Sequence, residues 1–359
     1  MTPRQYIPVA ALAVSVVLLQ VVLSLLQQPY LLSQLTMSAY YGLVVLGLCL
    51  LMGYAGQISI GHAAFFAIGG YTNAVLTTLD LSQFQAAGFV KFLSGLGLLV
   101  QTADPYGGFL LHLSPLIAVI AGLAIAAVVA VVIGIPILRL KGHYLAMATL
   151  AFGIIVSKIV IANPVLGGAD GISGVPEFGL PFGLKICGDS SARIQNYYIA
   201  WIVLVGVMIL LLNLINSRPG RALRAIHGNE EAAGSVGIDT SAYKLGVFVL
   251  SAVLAALGGA LLTSYNGGIG PSEAGVMKSV RYVAMVAIGG MANLWGSLVM
   301  GVGLEFISLR GYLGTFDEAF FGLVMIFIIM FFPDGLFHKP SWNSFKKLAG
   351  LFRRKGGRS

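Results

Sequence analysis

Long apolar segments recur along the whole of this 359-residue sequence, and they constrain its fold more than any other feature. A helix that crosses a bilayer needs about 20 mostly apolar residues, because its backbone polar groups must be satisfied within the segment itself. Hydrophobic residues make up 58% of the chain and charged residues only 9%, whereas soluble domains carry about 25% charged residues. The sequence therefore predicts an all-α polytopic membrane protein and excludes a soluble core with a single anchor.

Ten segments are apolar enough to be predicted as membrane-spanning helices: 7–26, 36–54, 57–79, 115–138, 143–162, 197–215, 244–265, 280–296, 297–310 and 318–333. The first resembles a signal peptide, but Gln20 comes late in it and no small-residue cleavage site follows cleanly, so we expect a retained helix. The stretch 280–310 is almost continuously apolar apart from IGGMANLWGS. One long tilted helix is the alternative there to two short helices.

The placement of lysine and arginine indicates how the chain is oriented. Of the 21 basic residues, 14 belong to four segments: Arg4, the turn 139–141, the loop 217–244 and the sequence after Pro333. These segments share one side only if the number of spans is even, and basic loops favour the cytoplasm. We therefore predict cytoplasmic termini, a transmembrane domain over 1–335, and a basic tail over 336–359 that contacts anionic lipid headgroups. The net charge of +8 reflects this bias and does not indicate nucleic-acid binding.

The polar segment 217–244 contains the signals of two short helices. Pro219 suits the first turn of a helix, since its missing N–H is not needed there. Asn229 can cap a second helix that carries Glu230 and Glu231 in its first turn, where the helix dipole favours carboxylates, and Gly237 suits its C-terminal stop. The predicted pair of helices lies across the cytoplasmic face and offers a surface for another protein. A solvated linker is the alternative.

Within this segment, GRALRAIHGNEEAAGSVGID resembles the EAA loop of permeases of ATP-binding cassette (ABC) importers. In that family the loop forms a coupling helix that docks in a groove of the cytoplasmic ATPase. The resemblance implies about ten transmembrane helices in an ABC importer permease fold with a cytoplasmic coupling-helix loop. It assigns the coupling contacts to these residues: Arg221, Arg224, Glu230, Glu231, Ala232, Ala233, Gly234 and Gly237.

Four further motifs narrow the resemblance to the branched-chain amino acid permeases, LivM branch of the LivH/LivM type: GYAGQISIGHAAFFAIGGY (53–71), RLKGHYLAMATLAFGIIV (139–156), LGGADGISGVP (166–176) and AIGGMANLWGSLVMG (287–301). The resemblance implies an inner-membrane permease subunit that imports branched-chain amino acids. It also implies partners: a second homologous permease in a heterodimer, two cytoplasmic ATP-binding subunits and a periplasmic solute-binding protein. His143 stands where the family often has Pro, and the loop 80–114 is long, so urea, short amides or other amino acids remain alternative substrates.

The sequence lacks the residues for ATP hydrolysis within this chain. No G-x-x-x-x-G-K-[ST] phosphate loop is present, so we expect a transport subunit without enzyme activity or cofactor, energised by other chains. Cys49 falls in a predicted span and Cys187 in a loop, and they offer neither a disulfide nor a metal-ligand spacing. A stand-alone secondary transporter is the rival function. Only Glu305 and His62 qualify for its ion coupling, which argues against it.

The segment 53–71 places polar side chains and five glycines inside an apolar span. Glycine-interrupted spans are typical of substrate cavities, where freed backbone groups line the cavity, so we predict a helix break near Tyr54–Ser59. Ser59 and His62 are three apart and share a helix face, whereas Gln57 points elsewhere and braces a neighbouring helix. The predicted pathway residues are Gln57, Ser59, Gly61, His62 and Asn293, the last in the similar segment AIGGMANLWGS. Close helix packing with local hydrogen bonds is the alternative.

Two further predictions concern single acidic residues. Asp170 and Gly171 in GGADGIS are predicted to organise a turn on an outer loop that receives the solute-binding protein. Glu305 lies within a predicted span, and we expect it to pair with Arg310 in preference to relaying protons.

Overall fold

The computed structural model describes residues 6–80, 99–103, 109–140, 142–180, 183–311 and 314–331. This part of the chain contains twelve α-helices: α1 Ile7–Leu25, α2 Tyr30–Cys49, α3 His62–Thr78, α4 Pro115–Ile137, α5 His143–Ala162, α6 Arg193–Asn216, α7 Arg218–Gly228, α8 Glu230–Ser235, α9 Thr240–Asn266, α10 Val276–Gly289, α11 Leu294–Leu309 and α12 Asp317–Phe331. The predicted basic tail 336–359, the end of the predicted domain 1–335 and Lys141 lie outside the described residues.

Each of the ten predicted spans overlaps a helix, although 57–79 begins in a nonhelical segment and 280–296 ends beyond a turn. The prediction of a helical membrane protein is confirmed. Among the described residues, six helices are long and apolar enough to cross a membrane: α1, α2 with the turn that follows it, α4, α5, α6 and α9. The stretch 280–310 is not one long helix, because α10 ends at Gly289 and α11 begins at Leu294. Helix α10 has only 14 residues and rises about 21 Å, which is short of the hydrocarbon thickness.

In the described connecting segments, three small antiparallel sheets supplement the helices. Strands β1 (Leu99–Ala103) and β2 (Phe109–Leu113) form a hairpin before α4. Strand β3 (Ile172–Ser173) pairs with β6 (Gly268–Ile269), and β4 (Phe178–Gly179) pairs with β5 (Lys185–Ile186). The β3–β6 pairing ties the segment before α6 to the end of α9. The predicted irregular segment 163–196 contains a 3-10 turn, Pro164–Leu166, and these short strands up to the start of α6.

The core forms around α2, α3 and α9, which approach closely through glycines. A Cβ at Gly69 of α3 would lie 2.1 Å from the carbonyl oxygen of Ala256, and one at Gly259 of α9 would lie 1.9 Å from that of Phe66. Gly47 of α2 packs against Ser251 of α9 in the same way. In lipid, dispersion and close packing hold helices together, and water exclusion does not. Small residues strengthen this packing because they let the backbones approach closely.

Candidate functional site

The connection from α2 to α3 contains a break at the predicted place. After Cys49 the helix widens into a π-turn, Leu50–Tyr54, and residues 56–61 are not helical. Gly56 has φ +68°, a conformation that other residues adopt only with strain. The prediction of an interrupted helix near Tyr54–Ser59 is confirmed.

The chain turns back into the bundle at this break. Gly47 of α2 lies against Ser251 of α9, and His62, the first residue of α3, bonds to Ser251 with Nε2 2.7 Å from Oγ. Helix α3 therefore begins at the level of Gly47, although α2 and its π-turn continue to Tyr54, about 10 Å further along the axis. Residues 56–61 run back along the axis over this distance, so α3 begins inside the bundle.

A similar return occurs in the second half of the chain. Tyr40 of α2 meets α9 at Gly258, and α9 continues to Asn266. The chain then passes through β6 and a 3-10 turn, Pro271–Ala274, and Glu273 of that turn reaches back to the hydroxyl of Tyr41, 3.0 Å away. The two short helices that follow these returns begin beside each other, since the backbone N–H of Ala63 donates to Ser279 Oγ at 3.1 Å. Their positive N-terminal ends meet inside the bundle.

The break after α2 also touches the turn between α10 and α11. A Cβ on Gly53 would lie 1.4 Å from the carbonyl oxygen of Met291, so the two backbones are in direct contact. The hydroxyl of Tyr54 donates to the carbonyl of Ala292 at 2.8 Å. Asn293 ends this turn and caps α11, accepting from the N–H groups of Trp295 and Gly296 at 3.1 and 3.2 Å. The two glycine-rich interruptions that the sequence singled out therefore form one contact region.

The structure brings Ser59 and His62 together and buries both, although they do not share a helix face, since Ser59 lies in the nonhelical segment and His62 begins α3. Ser59 Oγ lies 3.0 Å from Nδ1 of His62, so both ring nitrogens of the imidazole have hydroxyl partners. The ring packs edge-on against Phe65 and Phe248. In this conformation His62 joins the break to α9.

Gly61 and Gln57 occupy different environments within the break. A Cβ on Gly61 would lie 2.4 Å from the carbonyl oxygen of Thr149 in α5, whose hydroxyl accepts from the N–H of Ile60 at 3.0 Å. Gln57 is buried, and neither its amide oxygen nor its amide nitrogen has a hydrogen-bond partner among the described residues. The predicted bracing of a neighbouring helix by Gln57 is not seen as a hydrogen bond and stays a prediction.

The loop between α6 and α9 forms the two predicted short helices. Pro219 lies in the first turn of α7, and Asn229 caps α8 by accepting from the N–H of Ala232 at 3.0 Å. At the other end of α8, Gly237 has φ +86°, and the N–H groups of Gly237 and Ile238 donate to the carbonyls of Gly234 and Ala233. This is a complete Schellman C-cap. The local signals in the sequence are sufficient to define both ends of α8.

The predicted coupling residues divide into an exposed set and an anchored set. The side of the loop that faces away from the bundle exposes Arg221, Arg224, Glu231, Ala232, Gly234 and Gly237. Ala233 is buried, and Glu230 pairs with Lys244 of α9 at 2.6 Å. Arg224 also donates to the carbonyl of Ile215 at 2.9 Å, which fixes α7 to the end of α6.

Helix α7 contacts the break directly. Its buried residues, Gly220, Leu223 and Ile226, face the bundle. His227 follows on α7, and a Cβ on Gly56 would lie 2.8 Å from His227 Nδ1. A displacement of α7 would therefore press on the nonhelical segment 56–61, which carries Gln57 and Ser59 and leads into His62.

Asp170 and Gly171 lie in a backbone-bonded turn, where the N–H groups of both donate to the carbonyl of Gly167 at 3.2 Å. Gly171 has φ +77° and abuts the carbonyl of Ile269 in β6, while Asp170 is exposed. Further along the same connecting segment, a hydrogen bond to Glu177, 2.9 Å away, raises the pKa of Lys185.

The ion-pair partner of the buried Glu305 differs from the predicted one. The carboxylate of Glu305 is 1% exposed and its nearest described cation is Arg281 of α10, 4.0 Å away. The predicted pairing with Arg310 is wrong, since a residue five positions on lies about 140° round the helix, and the Arg310 guanidinium lies over the ring of Tyr30. Sequence reasoning missed Arg281, Lys278 and Glu273 as a group. The predicted span began at 280, so Glu273 and Lys278 fell in a loop.

A profile for the family described as "Branched-chain amino acid transport system / permease component" matches residues 30–331. The permease protein LivM of the high-affinity branched-chain amino acid transport system of Escherichia coli (strain K12) is 30% identical over 325 residues, covering 84% of this chain and 68% of that protein. LivH of the same system and strain is 23% identical, covering 85% of this chain and 93% of that protein. A probable LivM of Methanocaldococcus jannaschii is 26% identical, with 82% and 90% covered. No solved structure matches this chain.

Proposed function

This chain belongs to the branched-chain amino acid transport system permease family, and from that premise we propose that it is a permease subunit of an ABC importer of branched-chain amino acids. It lies in the inner membrane with both termini in the cytoplasm. It pairs with a second, homologous permease subunit, and the substrate passes between the two. ATP is hydrolysed by two cytoplasmic subunits, and a periplasmic binding protein delivers the substrate.

The observation that carries this proposal is the contact between the α7–α8 loop and the break after α2. The loop exposes a small-residue surface with both signs of charge, which suits docking of another protein, and Leu223, Ile226 and His227 connect it to the bundle. When the ATPase subunits close, they push α7, and α7 moves the segment at Gly56. Because Gly53 touches Met291, the second interruption moves with it.

The pathway proposal uses the same elements. Residues Gln57, Ser59, Gly61 and His62 lie on the returning segment, and Asn293 ends the turn that this segment contacts. Helix breaks supply unpaired backbone groups to a polar substrate inside a membrane protein. In the proposed cycle the hydrogen bonds that join His62 with Ser59 and Ser251 hold the segment in its closed position. These bonds are replaced by others when the pathway opens. Unchanged uptake by both His62→Ala and Ser59→Ala in reconstituted vesicles would refute a role for this pair.

We propose that the periplasmic binding protein docks on the turn at Asp170 and Gly171. The β3–β6 pairing connects this turn to the return after α9, which leads to Glu273 and α10. A binding protein that docks on Asp170 therefore acts on the helix that begins beside α3. A reversal of charge, Asp170→Lys, is expected to lower stimulation of ATP hydrolysis by the liganded binding protein.

The docking proposal is tested by Ala232→Trp, which places a bulky ring on the exposed face of α8. We expect the two ATPase subunits to be lost on co-purification while the partner permease is retained. Ala169→Trp is the matched control, an exposed alanine in the predicted outer loop, and it should keep the ATPases. Retention of the ATPases by Ala232→Trp would contradict the docking site. Uptake driven by an ion gradient without ATP, by this chain alone, would instead establish the rival secondary transporter.

A further inference from the structure

A cluster of five charged side chains lies where α10, α11 and α12 meet the return after α9. Its members, called here the charge cluster, are Glu273, Lys278, Arg281, Glu305 and Asp317. Lys278 pairs with Glu273 at 3.1 Å, and Arg281 pairs with Asp317 at 2.9 Å. Glu305 is buried within electrostatic reach of the other four. Charges inside an apolar bundle are costly unless paired, and they are a functional signal by default.

The charge cluster contains one more carboxylate than it has cations. Among the described residues, the two cations have two close carboxylate partners, and Glu305 reaches Arg281 only at 4.0 Å. Within the described part of the chain, each carboxylate also keeps one oxygen without a hydrogen-bond partner: Glu273 Oε2, Glu305 Oε2 and Asp317 Oδ1. Three acceptors without donors and one excess negative charge in one place fit a ligand that is positively charged and donates several hydrogen bonds.

The aromatic residues beside the cluster provide an apolar wall. The rings of Tyr41 and Phe66 stack at 5.4 Å, and Tyr282 lies 6.3 and 6.4 Å from them. Tyr282 is fully buried, one turn after Lys278 on α10, and its hydroxyl has no hydrogen-bond partner among the described residues. This wall therefore offers an apolar surface with an O–H donor next to the carboxylates of the charge cluster.

The N-terminal ends of α3 and α10 complete the arrangement. They meet at the hydrogen bond between Ala63 and Ser279, and Ser279 follows Lys278 in the sequence. Helix N-termini and Lys278 favour an anion, whereas Glu273 and Glu305 favour a cation. A ligand with an ammonium, a carboxylate and an aliphatic side chain matches all three parts of the site.

We propose that the charge cluster receives the α-ammonium group of the amino acid in transit, with Glu273 and Glu305 as its acceptors. The substrate carboxylate then faces Lys278 and the N-termini of α3 and α10, and its aliphatic side chain packs on the aromatic wall. This inference rests on the proposed function. In the proposed cycle the site opens when α10 moves away from α2. Lys278 and Glu273 then separate, and each contacts the substrate instead.

Uptake in vesicles that contain the full transporter and its binding protein tests the site. Glu273→Gln and Glu305→Gln remove one charge each with little change of shape. Each is expected to lower leucine uptake by about tenfold or more, the loss expected from one charge-assisted hydrogen bond, while stimulated ATP hydrolysis continues. Glu177→Gln, which removes an exposed carboxylate, is the matched control. Uptake by both cluster variants within about twofold of this control would overturn the proposal.

A binding measurement separates the proposed chemistry from a merely structural role. Thermal unfolding of the purified complex is followed with leucine, with isopentylamine, which lacks the carboxylate, and with 4-methylpentanoate, which lacks the ammonium. We expect leucine and the amine to raise the unfolding temperature, the acid to have little effect, and Glu273→Gln to abolish the amine effect while Glu273→Asp retains it. Stabilisation by Na⁺ with none by the amine would overturn the proposal in favour of a metal-ion site. The amine assay needs no transport, so its outcome stands even if ATP-driven leucine uptake, and with it the proposed function, fails.

Discussion

The contact between Gly53 and Met291 gives a sharp test of the geometry that joins the two interruptions. A Cβ at residue 53 would lie 1.4 Å from the carbonyl oxygen of Met291, and ordinary contact begins near 3.4 Å. The substitution Gly53→Ala therefore requires the two backbones to separate by about 2 Å. Gly53 has no positive φ, so the close approach alone accounts for the expected effect.

The magnitude follows from two losses and one gain. Overpacking a close contact costs about 1–3 kcal/mol. Separation of the segments also breaks the hydrogen bond from Tyr54 to Ala292, which contributes about 1 kcal/mol. Alanine recovers up to about 1 kcal/mol of backbone entropy relative to glycine. We expect Gly53→Ala to destabilise the bundle by about 2 kcal/mol and to impair transport more than expression.

The assay compares thermal unfolding and leucine uptake of Gly53→Ala with those of Gly303→Ala. Gly303 lies inside α11, and a Cβ there would meet no heavy atom of the described residues within 4 Å. The control should be neutral or slightly stabilising, since alanine is the better helix former. If Gly53→Ala unfolds at the same temperature as Gly303→Ala and transports normally, the two interruptions are not in contact.

Two further predictions concern the α7–α8 loop. Asn229→Ala removes the cap of the six-residue helix α8 at a cost of about 1 kcal/mol, and should weaken ATPase co-purification, whereas Ser235→Ala on the same exposed helix should not. Gly56→Ala forces a side chain onto a φ of +68° and against His227, and should uncouple ATP hydrolysis from uptake. Gly142→Ala, with φ +60° and no contact within 4 Å, controls for backbone strain, and equal coupling in the two variants would refute the relay through Gly56.

The sequence predicts elements whose signals are local. Apolar length alone places α5 at 143–162, as the structure has it, because lipid allows only fully hydrogen-bonded segments. The cap at Asn229 and the stop at Gly237 are short-range backbone requirements, so α8 is also predictable. The interruption at residues 56–61 is predictable from its glycines for the same reason.

Tertiary pairings are not predictable in this way. The partner of Glu305 is on another helix. The angle of about 140° between positions 305 and 310 argues against Arg310, but nothing within α11 points to Arg281 as the partner. The contact of Gly53 with Met291 depends on how two turns that are distant in the sequence meet in the fold. In the sequence these two turns appear only as similar glycine-rich stretches. The hydrogen bond between His62 and Ser251 likewise joins residues 189 positions apart.

The central claim is that the α7–α8 loop faces the cytoplasm and carries the ATPase subunits. It is tested most directly by labelling Ala232→Cys, in a variant without Cys49 and Cys187, with a membrane-impermeant thiol reagent. Residue 232 is exposed, so we predict that the reagent labels it in inside-out vesicles but not in intact spheroplasts. Bound ATPase subunits should protect residue 232 from the reagent. Labelling in intact spheroplasts, or labelling that the ATPase subunits leave unchanged, would contradict the account.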